Sequence, residues 1–442
     1  MAQVQCPREW SEWVAWLAAG LHGRNRWRLS VILLGMLFAR GRRTVTSWLR
    51  AADAPGHFSG YYYFIAALGR NSRTFAERLL ALMLVHLPLP ERILAVIDDT
   101  PTRRYGPRVQ GADIHHNPTP GPADQPFLYG HVWVTLALAL RHPRWGTIAL
   151  PLRALLYVRQ RTIERLPAKY GWQFRTKLVL AVKLVQWLHG LLQSANRTLW
   201  VVADGAFANR SFLRPLIARS VVVISRLRKD ANLRDVPRPV KRRGRGRPRK
   251  YGKKRIRLAQ RAAHRKGWQE IECQVYGQTV IKTYKTFLAT YVPAGGVIRV
   301  VIVKEDKGCQ HFFATDPAVT PQQIIEAFAD RASIEQDFHD VKEVWGAGQQ
   351  QVRHIWANIG AFHLNLWMQT LVELWAWHRP QREICDRRDS PWDDPARRPS
   401  HADRRKALRR KILQHELISI TAAWQLPRKM LRLTRQLLNL AV

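Results

Sequence analysis

With 442 residues the chain has ample material for a buried core, and an apolar share of 46% excludes disorder as its default state. The charge is far from ordinary: 72 Lys and Arg against 32 Asp and Glu give a formal +40. A polyanion relieves that self-repulsion, so nucleic acid is the expected partner.

The basic residues are spread along the whole chain instead of flanking one amphipathic anchor, which excludes a membrane surface as the expected partner. The apolar run from Leu29 to Ala39 is about half of a bilayer span and starts too late for an ordinary signal peptide. Cys6, Cys273, Cys309 and Cys385 lie far apart without a Cys-x-x-Cys pair. They indicate neither a zinc knuckle nor a disulfide framework, and a reducing compartment fits. The expectation is a soluble, cytoplasmic protein.

Residues 1–88 read as helical. Trp10, Trp13, Val14 and Leu17 form an apolar stripe, Leu29 to Phe38 reads as a buried helix, and Phe75 to His86 as another that ends before Pro88. Gly41 to Arg50 reads as a short helix. With Arg40, Arg42, Arg43 and Arg50 near its turns, this unit either binds DNA in a helix-turn-helix manner or is a packing domain with basic decoration.

Glu91 to Thr100 reads as a buried strand closed by two adjacent carboxylates, Asp98 and Asp99. Acids at a buried strand end carry a desolvation cost that a divalent cation offsets, although a capping turn is an equal reading. The Pro-, Gly- and Asp-rich stretch to Phe127 reads as loop. His131 to Leu140 and Trp145 to Val158 predict an antiparallel hairpin across a short basic turn. Phe174 to Leu192 predicts an amphipathic helix, and Thr198 to Phe207 repeats the pattern of an apolar strand closed by an acid, Asp204, here followed by Gly205. The order of elements describes a mixed sheet flanked by helices. Ser220 to Arg226 adds a strand.

From Arg238 to Arg257, 12 of 20 residues are Lys or Arg and none is acidic. The centre, Gly244 to Gly252, holds Arg245, Arg247, Arg249 and Lys250 around a Gly-Arg-Pro core. Such a core is extended and narrow, so its arginines can enter the minor groove of A·T-rich DNA, and it resembles an AT-hook. The plainer reading is a basic loop that grips phosphates. Gln274 to Tyr284, Thr286 to Val292 and Val297 to Lys304 alternate as strands, with a turn at Gly295-Gly296. About 95 residues separate the sheet from the acidic helix that follows, too many for a connection, so a β-rich insertion is expected.

That acidic helix, begun near Pro321, places Phe328, Arg331, Glu335 and Lys342 within roughly 60° of one another on its surface. The stripe suits a carboxylate that holds a metal while its cationic neighbours grip phosphates; a solvated ion-pair face is the plainer reading. Beyond it, Gly346 to Arg353 reads as loop, and its Gly-x-Gly lacks the strand and lysine of a phosphate cradle. A long apolar helix, Ile355 to Trp377, should pack on the sheet. Arg379 to Ser400 reads as linker, and Arg404 to Leu440 as basic helices that offer a phosphate-facing surface. His115, His116 and His131 lack partners at metal-ligand spacing, and Tyr61 to Tyr63 reads as packing.

Asp98 or Asp99, Asp204 and Glu335 are thus two acidic strand ends and one acidic helix in a strongly basic chain, which is what two-metal phosphodiester chemistry requires. On Ile97 to Thr100, Ala203 to Ala206 and the Phe328, Arg331, Glu335, Lys342 spacing, residues 90–365 resemble a DDE-type transposase of bacterial insertion sequences, in the branch with a β-rich insertion before the last acidic helix. Phe328 stands where that family usually has Tyr. The resemblance implies an α/β, ribonuclease H-like mixed sheet with flanking helices. It implies four regions: a helical region 1–88, a catalytic domain of 89–229 and 315–378, a basic and β-rich insertion at 230–314, and a C-terminal region 379–442. It further implies catalytic Asp98, Asp204 and Glu335, with Asp98 matching the Asp-x-Thr spacing and Asp99 the Asp-Thr one, and Asp98 preferred. Asp98, Asp99, Asp204 and Glu335 would hold two Mg²⁺ ions, replaceable by Mn²⁺, and Arg331 and Lys342 would hold phosphates. The implied partners are double-stranded transposon ends and target DNA, bound by a homodimer at the bacterial nucleoid. The alternative is a transposase-derived DNA-binding regulator that no longer cuts.

Overall fold

The computed structural model describes residues 6–117, 125–237, 249–385, 387, 392–394 and 396–421, with side chains described to residue 417. Helices fill the first quarter. α1 (Arg8–Ala19) buries its Trp10, Trp13, Val14 and Leu17 stripe, and α2 (Arg26–Phe38) buries Leu29, Ile32, Leu33 and Met36. Thr44 opens α3 (Val45–Ala51) by accepting the Ser47 N–H at 3.0 Å. α4 (Phe58–Arg70) has no counterpart among the expected elements, although Tyr61, Phe64, Ile65 and Leu68 have helical spacing and are buried. α5 (Ser72–His86) follows.

Next come β1 (Arg92–Arg103), the short β2 (Asp113–His116) inside the expected loop, and the hairpin of β3 (Phe127–His142) with β4 (Gly146–Tyr157). After α6 (Gln160–Ile163) and α7 (Lys177–Ser194), β5 (Thr198–Ala203) runs parallel to β1, and α8 (Arg210–Ile217) leads to β6 (Val222–Arg226), parallel to β5. The central order is therefore β4-β3-β1-β5-β6: an antiparallel half joined through β1 to a parallel half.

The segment between β6 and the acidic helix continues this sheet. β7 (Leu233–Arg234), β8 (Arg255–Ile256), α9 (Leu258–Ala263), β9 (Gln269–Val275), β10 (Gln278–Tyr291), β11 (Gly296–Glu305) and β12 (Gly308–Ala314) follow in turn, and β12 pairs antiparallel with β6. The expected strand from Gln274 to Tyr284 is instead split by a two-residue hairpin at Tyr276-Gly277. Both residues have positive φ, 54° and 80°, as a tight hairpin turn demands.

The expected single helix from Pro321 is likewise two: α10 (Pro321–Asp330), opened by a capping box at Thr320 and Gln323, and α11 (Ser333–Glu343). Between them the hydrogen bonds tighten. The Ile334 N–H reaches the Arg331 carbonyl and the Glu335 N–H the Ala332 carbonyl, an i to i−3 pattern that breaks the α-helical ladder.

α12 (Ile355–Ala376) is buried along nearly its whole length and packs on β4, with Trp367 and Thr370 donating to the Leu152 and Pro151 carbonyls. On its other flank it meets α4 at backbone distance: a Cβ at Gly360 would lie 1.9 Å from the Ile65 carbonyl oxygen, and one at Gly69 2.0 Å from that of Trp356. The N-terminal helices are thereby seated on the helix that backs the sheet. α13 (Gln381–Ile384) and α14 (His401–Thr421) close the described chain.

At the start of α14, three cations of the expected phosphate-facing surface, Arg404, Arg405 and Arg409, are instead buried, while the part of that expectation beyond residue 421 lies outside the described residues. Arg404 pairs with Glu373 of α12 at 3.0 Å, and Arg405 donates to the carbonyls of Met36, Leu37 and Ala39 at the end of α2. These cations serve a helix C-terminus and a buried acid, which composition alone does not reveal.

Candidate active site

Ile93 to Ile97 is buried because β1 runs through the centre of the sheet between β3 and β5. Strand alternation then sends Asp98 and Asp99 to opposite faces. Asp98 faces α10 and α11, where its Oδ2 accepts from Arg331 Nη1 at 2.9 Å and its Oδ1 from the Asp99 backbone N–H at 2.8 Å. Asp99 faces α7 and pairs with Lys177 Nζ at 2.7 Å. Of the two, only Asp98 is brought to Arg331 and the acidic helix.

Parallel pairing of β1 with β5 ends at Ile97 opposite Ala203, so Asp98, within β1, and Asp204, just past the end of β5, are the next residue along each segment and lie side by side where the pairing stops. The Asp204 carbonyl accepts from the Phe207 N–H at 2.9 Å and the Ser225 hydroxyl at 3.1 Å. Its side chain makes no capping bond, which leaves the carboxylate uncommitted. Gly205 is small for a reason of space: a Cβ there would sit 3.1 Å from the Arg226 carbonyl oxygen on β6. Asp204 opens on a cavity of about 670 Å³ whose cationic lining is Arg226, Arg228 and Lys229.

Glu335 stands in the first turn of α11 and accepts Arg331 Nη2 at 2.6 Å. One guanidinium therefore bridges Asp98 and Glu335. Arg331 is itself largely buried and lies over the Phe328 ring, 5.5 Å from its centroid, while Phe328 packs on Phe312. At this position the aromatic ring is a floor for the arginine. Lys342, in the last turn of α11, is about 10 Å further along the helix than Glu335.

Burial pushes the Asp98 carboxyl up to about 6; Arg331 opposes the shift, and the charges of Asp99 and Asp204 reinforce it. A buried carboxyl that keeps a neighbouring acid is a group in need of a cation. Among the described residues no three His, Cys, Asp or Glu side chains already form a metal cage, because the guanidinium stands between two of the acids. The donor set is nonetheless all hard oxygen. The buried Thr135 hydroxyl, directly opposite Asp98 on β3, has no hydrogen-bond partner either. These groups fit a divalent cation once Arg331 yields Asp98.

Of the remaining expected DNA contacts, Arg249 and Lys250 are exposed ahead of β8, and Arg245 and Arg247 lie outside the described residues. Arg226, Arg228 and Lys229 were not among the expected site residues. Their signal was the run of cations immediately after the strand beside Asp204.

A five-strand order of β4-β3-β1-β5-β6, with acids where the pairing of two adjacent parallel strands ends, defines the ribonuclease H-like class of nuclease folds. Residues 17–285 match the DDE superfamily endonuclease family, and the chain belongs to it. With membership come a nuclease-type activity, DNA as the substrate and a general use of divalent metal ions. The match begins within α1 and ends within β10, before Glu335. No curated protein matches the chain. No helix among the described residues is long and apolar enough to cross a membrane.

Proposed function

We propose that the protein is a transposase that cuts insertion-sequence ends and joins the exposed 3′-hydroxyl to target DNA, with Asp98, Asp204 and Glu335 as its catalytic carboxylates. The observation that carries this reading is the convergence of three acids from distant segments. Asp98 and Glu335 share one guanidinium, and Asp204 adjoins Asp98 across two parallel strands.

The three carboxylates would hold two Mg²⁺ ions, replaceable by Mn²⁺, and the pair supplies Lewis-acid stabilisation of the attacking and leaving oxygens when bound. The chain's own residues do the rest. Burial raises the Asp98 carboxyl to about 6 even beside Arg331, so once that guanidinium leaves it a bound divalent cation would be what keeps it ionised. Arg331, released from it, remains anchored on Phe328 and turns its planar fork to a phosphate. Lys342 holds a second phosphate further along α11. Arg245, Arg247, Arg249 and Lys250 track the DNA backbone or its minor groove. A homodimer pairs two ends at the nucleoid.

The test incubates the full chain with DNA that carries the element's own ends and with a target plasmid, with and without Mg²⁺. The reading expects metal-dependent nicking at the ends and joined products. Binding to those ends with no cutting in either Mg²⁺ or Mn²⁺ would leave a DNA-binding regulator in its place.

A further inference from the structure

The geometry points to a second, separate DNA contact: an arginine-lined pocket beyond the end of β1 that holds backbone phosphate of the DNA strand leaving the candidate active site. It rests on the DNA-cutting reading above and adds where the substrate runs.

The pocket, of about 470 Å³, forms where three segments meet. The turn between α2 and α3 brings Arg42, the exit of β1 brings Arg104, Tyr105 and Arg108, and the loop after α11 brings Arg353. No carboxylate lines it among the described residues. Guanidinium groups gathered without an acid repel one another, and an anion with several acceptor oxygens is what relieves them.

The pocket is built rather than incidental. Arg104 is 5% exposed and is fixed from behind, donating to the Gly348 carbonyl at 2.9 Å and to His131 Nδ1 at 3.2 Å. His131 can accept there because it is neutral: burial, with the nearby Arg104 charge, holds it down at about 3, and its Nε2 donates to the Gln110 carbonyl at 2.9 Å. The walls are tied together. Gln349 accepts the Arg43 N–H at 2.8 Å, and the buried Gln350 donates to the Gly346 carbonyl at 2.7 Å. Gly348, at φ 103°, takes a conformation other residues rarely adopt, beside the Arg103 carbonyl.

Position gives the ligand. Arg104 follows Asp98 by six residues, just past the end of β1 and about 20 Å further along the chain, and Gly348 lies on the loop that leaves the Glu335 helix. Both elements that carry the acids thus run into the pocket's walls, so a strand cut at Asp98 and Glu335 continues over it. Tyr105, 72% exposed, and Arg42 also border a wider, shallower cavity of about 850 Å³, so the basic surface is a groove and not a closed hole. An exposed ring among arginines suits a strand whose bases are within reach of stacking.

The test is arginine footprinting with phenylglyoxal on the full chain, with and without DNA, read by mass spectrometry. DNA is expected to slow modification of Arg42, Arg108 and Arg353 at least threefold while leaving the ion-paired Arg8 unchanged. In parallel, the triple variant Arg42→Ala/Arg108→Ala/Arg353→Ala should bind DNA with a salt dependence shallower by about one in log–log slope per arginine, and the triple lysine variant should restore it. DNA binding with unchanged modification rates at the three arginines and an unchanged slope would overturn the pocket alone. A wild type that binds no DNA would overturn the reading on which it rests.

Discussion

Adjacent acids at 98 and 99 illustrate how much one residue of register decides. Strand alternation commits Asp98 to Arg331 and Asp99 to Lys177, on opposite faces of the same sheet. Buried histidines make a prediction at this scale. His363, in α12, donates through Nδ1 to the Ile359 carbonyl at 2.8 Å and accepts the Ala154 N–H at Nε2. Burial lowers it from 6.5 to about 4. Between those values the unfolded chain binds the proton and the folded one does not, so stability falls as pH falls through that window. The contribution is up to about 1.4 kcal/mol per pH unit. His363→Gln should therefore flatten the dependence of unfolding free energy on pH between about 4 and 6.5, measured by urea denaturation. An unchanged slope would contradict a neutral, buried imidazole.

Helix contacts set the next scale. Glycine to alanine in a helix ordinarily stabilises by about 1 kcal/mol, but at Gly360 and Gly69 the added methyl would collide with the backbone of the facing helix. Gly360→Ala should instead lower stability, by about 1–3 kcal/mol or more, seen as a lower melting temperature. Arg405 offers the complementary case. Burial lowers its guanidinium to about 9, and it serves three carbonyls at the end of α2. Arg405→Met should cost a few kcal/mol, since it strands those acceptors, and leave the salt dependence of DNA binding unchanged. Both contacts are long-range, and for that reason neither was legible in the sequence. The elements with a strong local signal were legible: β1, the β3–β4 hairpin, α7, β5 and α12. The turn at Tyr276-Gly277 was hidden because alternation reads on across it. The break at Arg331 was hidden because a tightened turn keeps the helical spacing of its neighbours.

Across the whole molecule, one sheet carries both the acidic site and the strands that follow β6, since β12 pairs directly with that strand. Asp98 and Asp204 were legible as acids that follow apolar strand runs, and Glu335 by its spacing from Arg331; the bridging of Asp98 and Glu335 by that guanidinium was not, since it joins positions 233 residues apart. Charge, too, divides in a way that composition conceals. The buried arginines of α14 are spent inside the fold, whereas Arg42, Arg108 and Arg353 line a cavity. The most direct test of the account compares metal-dependent DNA cleavage by the wild type with that of Asp98→Asn, Asp204→Asn and Glu335→Gln, each of which removes a charge while nearly keeping shape. The prediction is loss of cutting in all three with DNA binding retained. Cleavage at the wild-type rate in any one of them would contradict its place in the site.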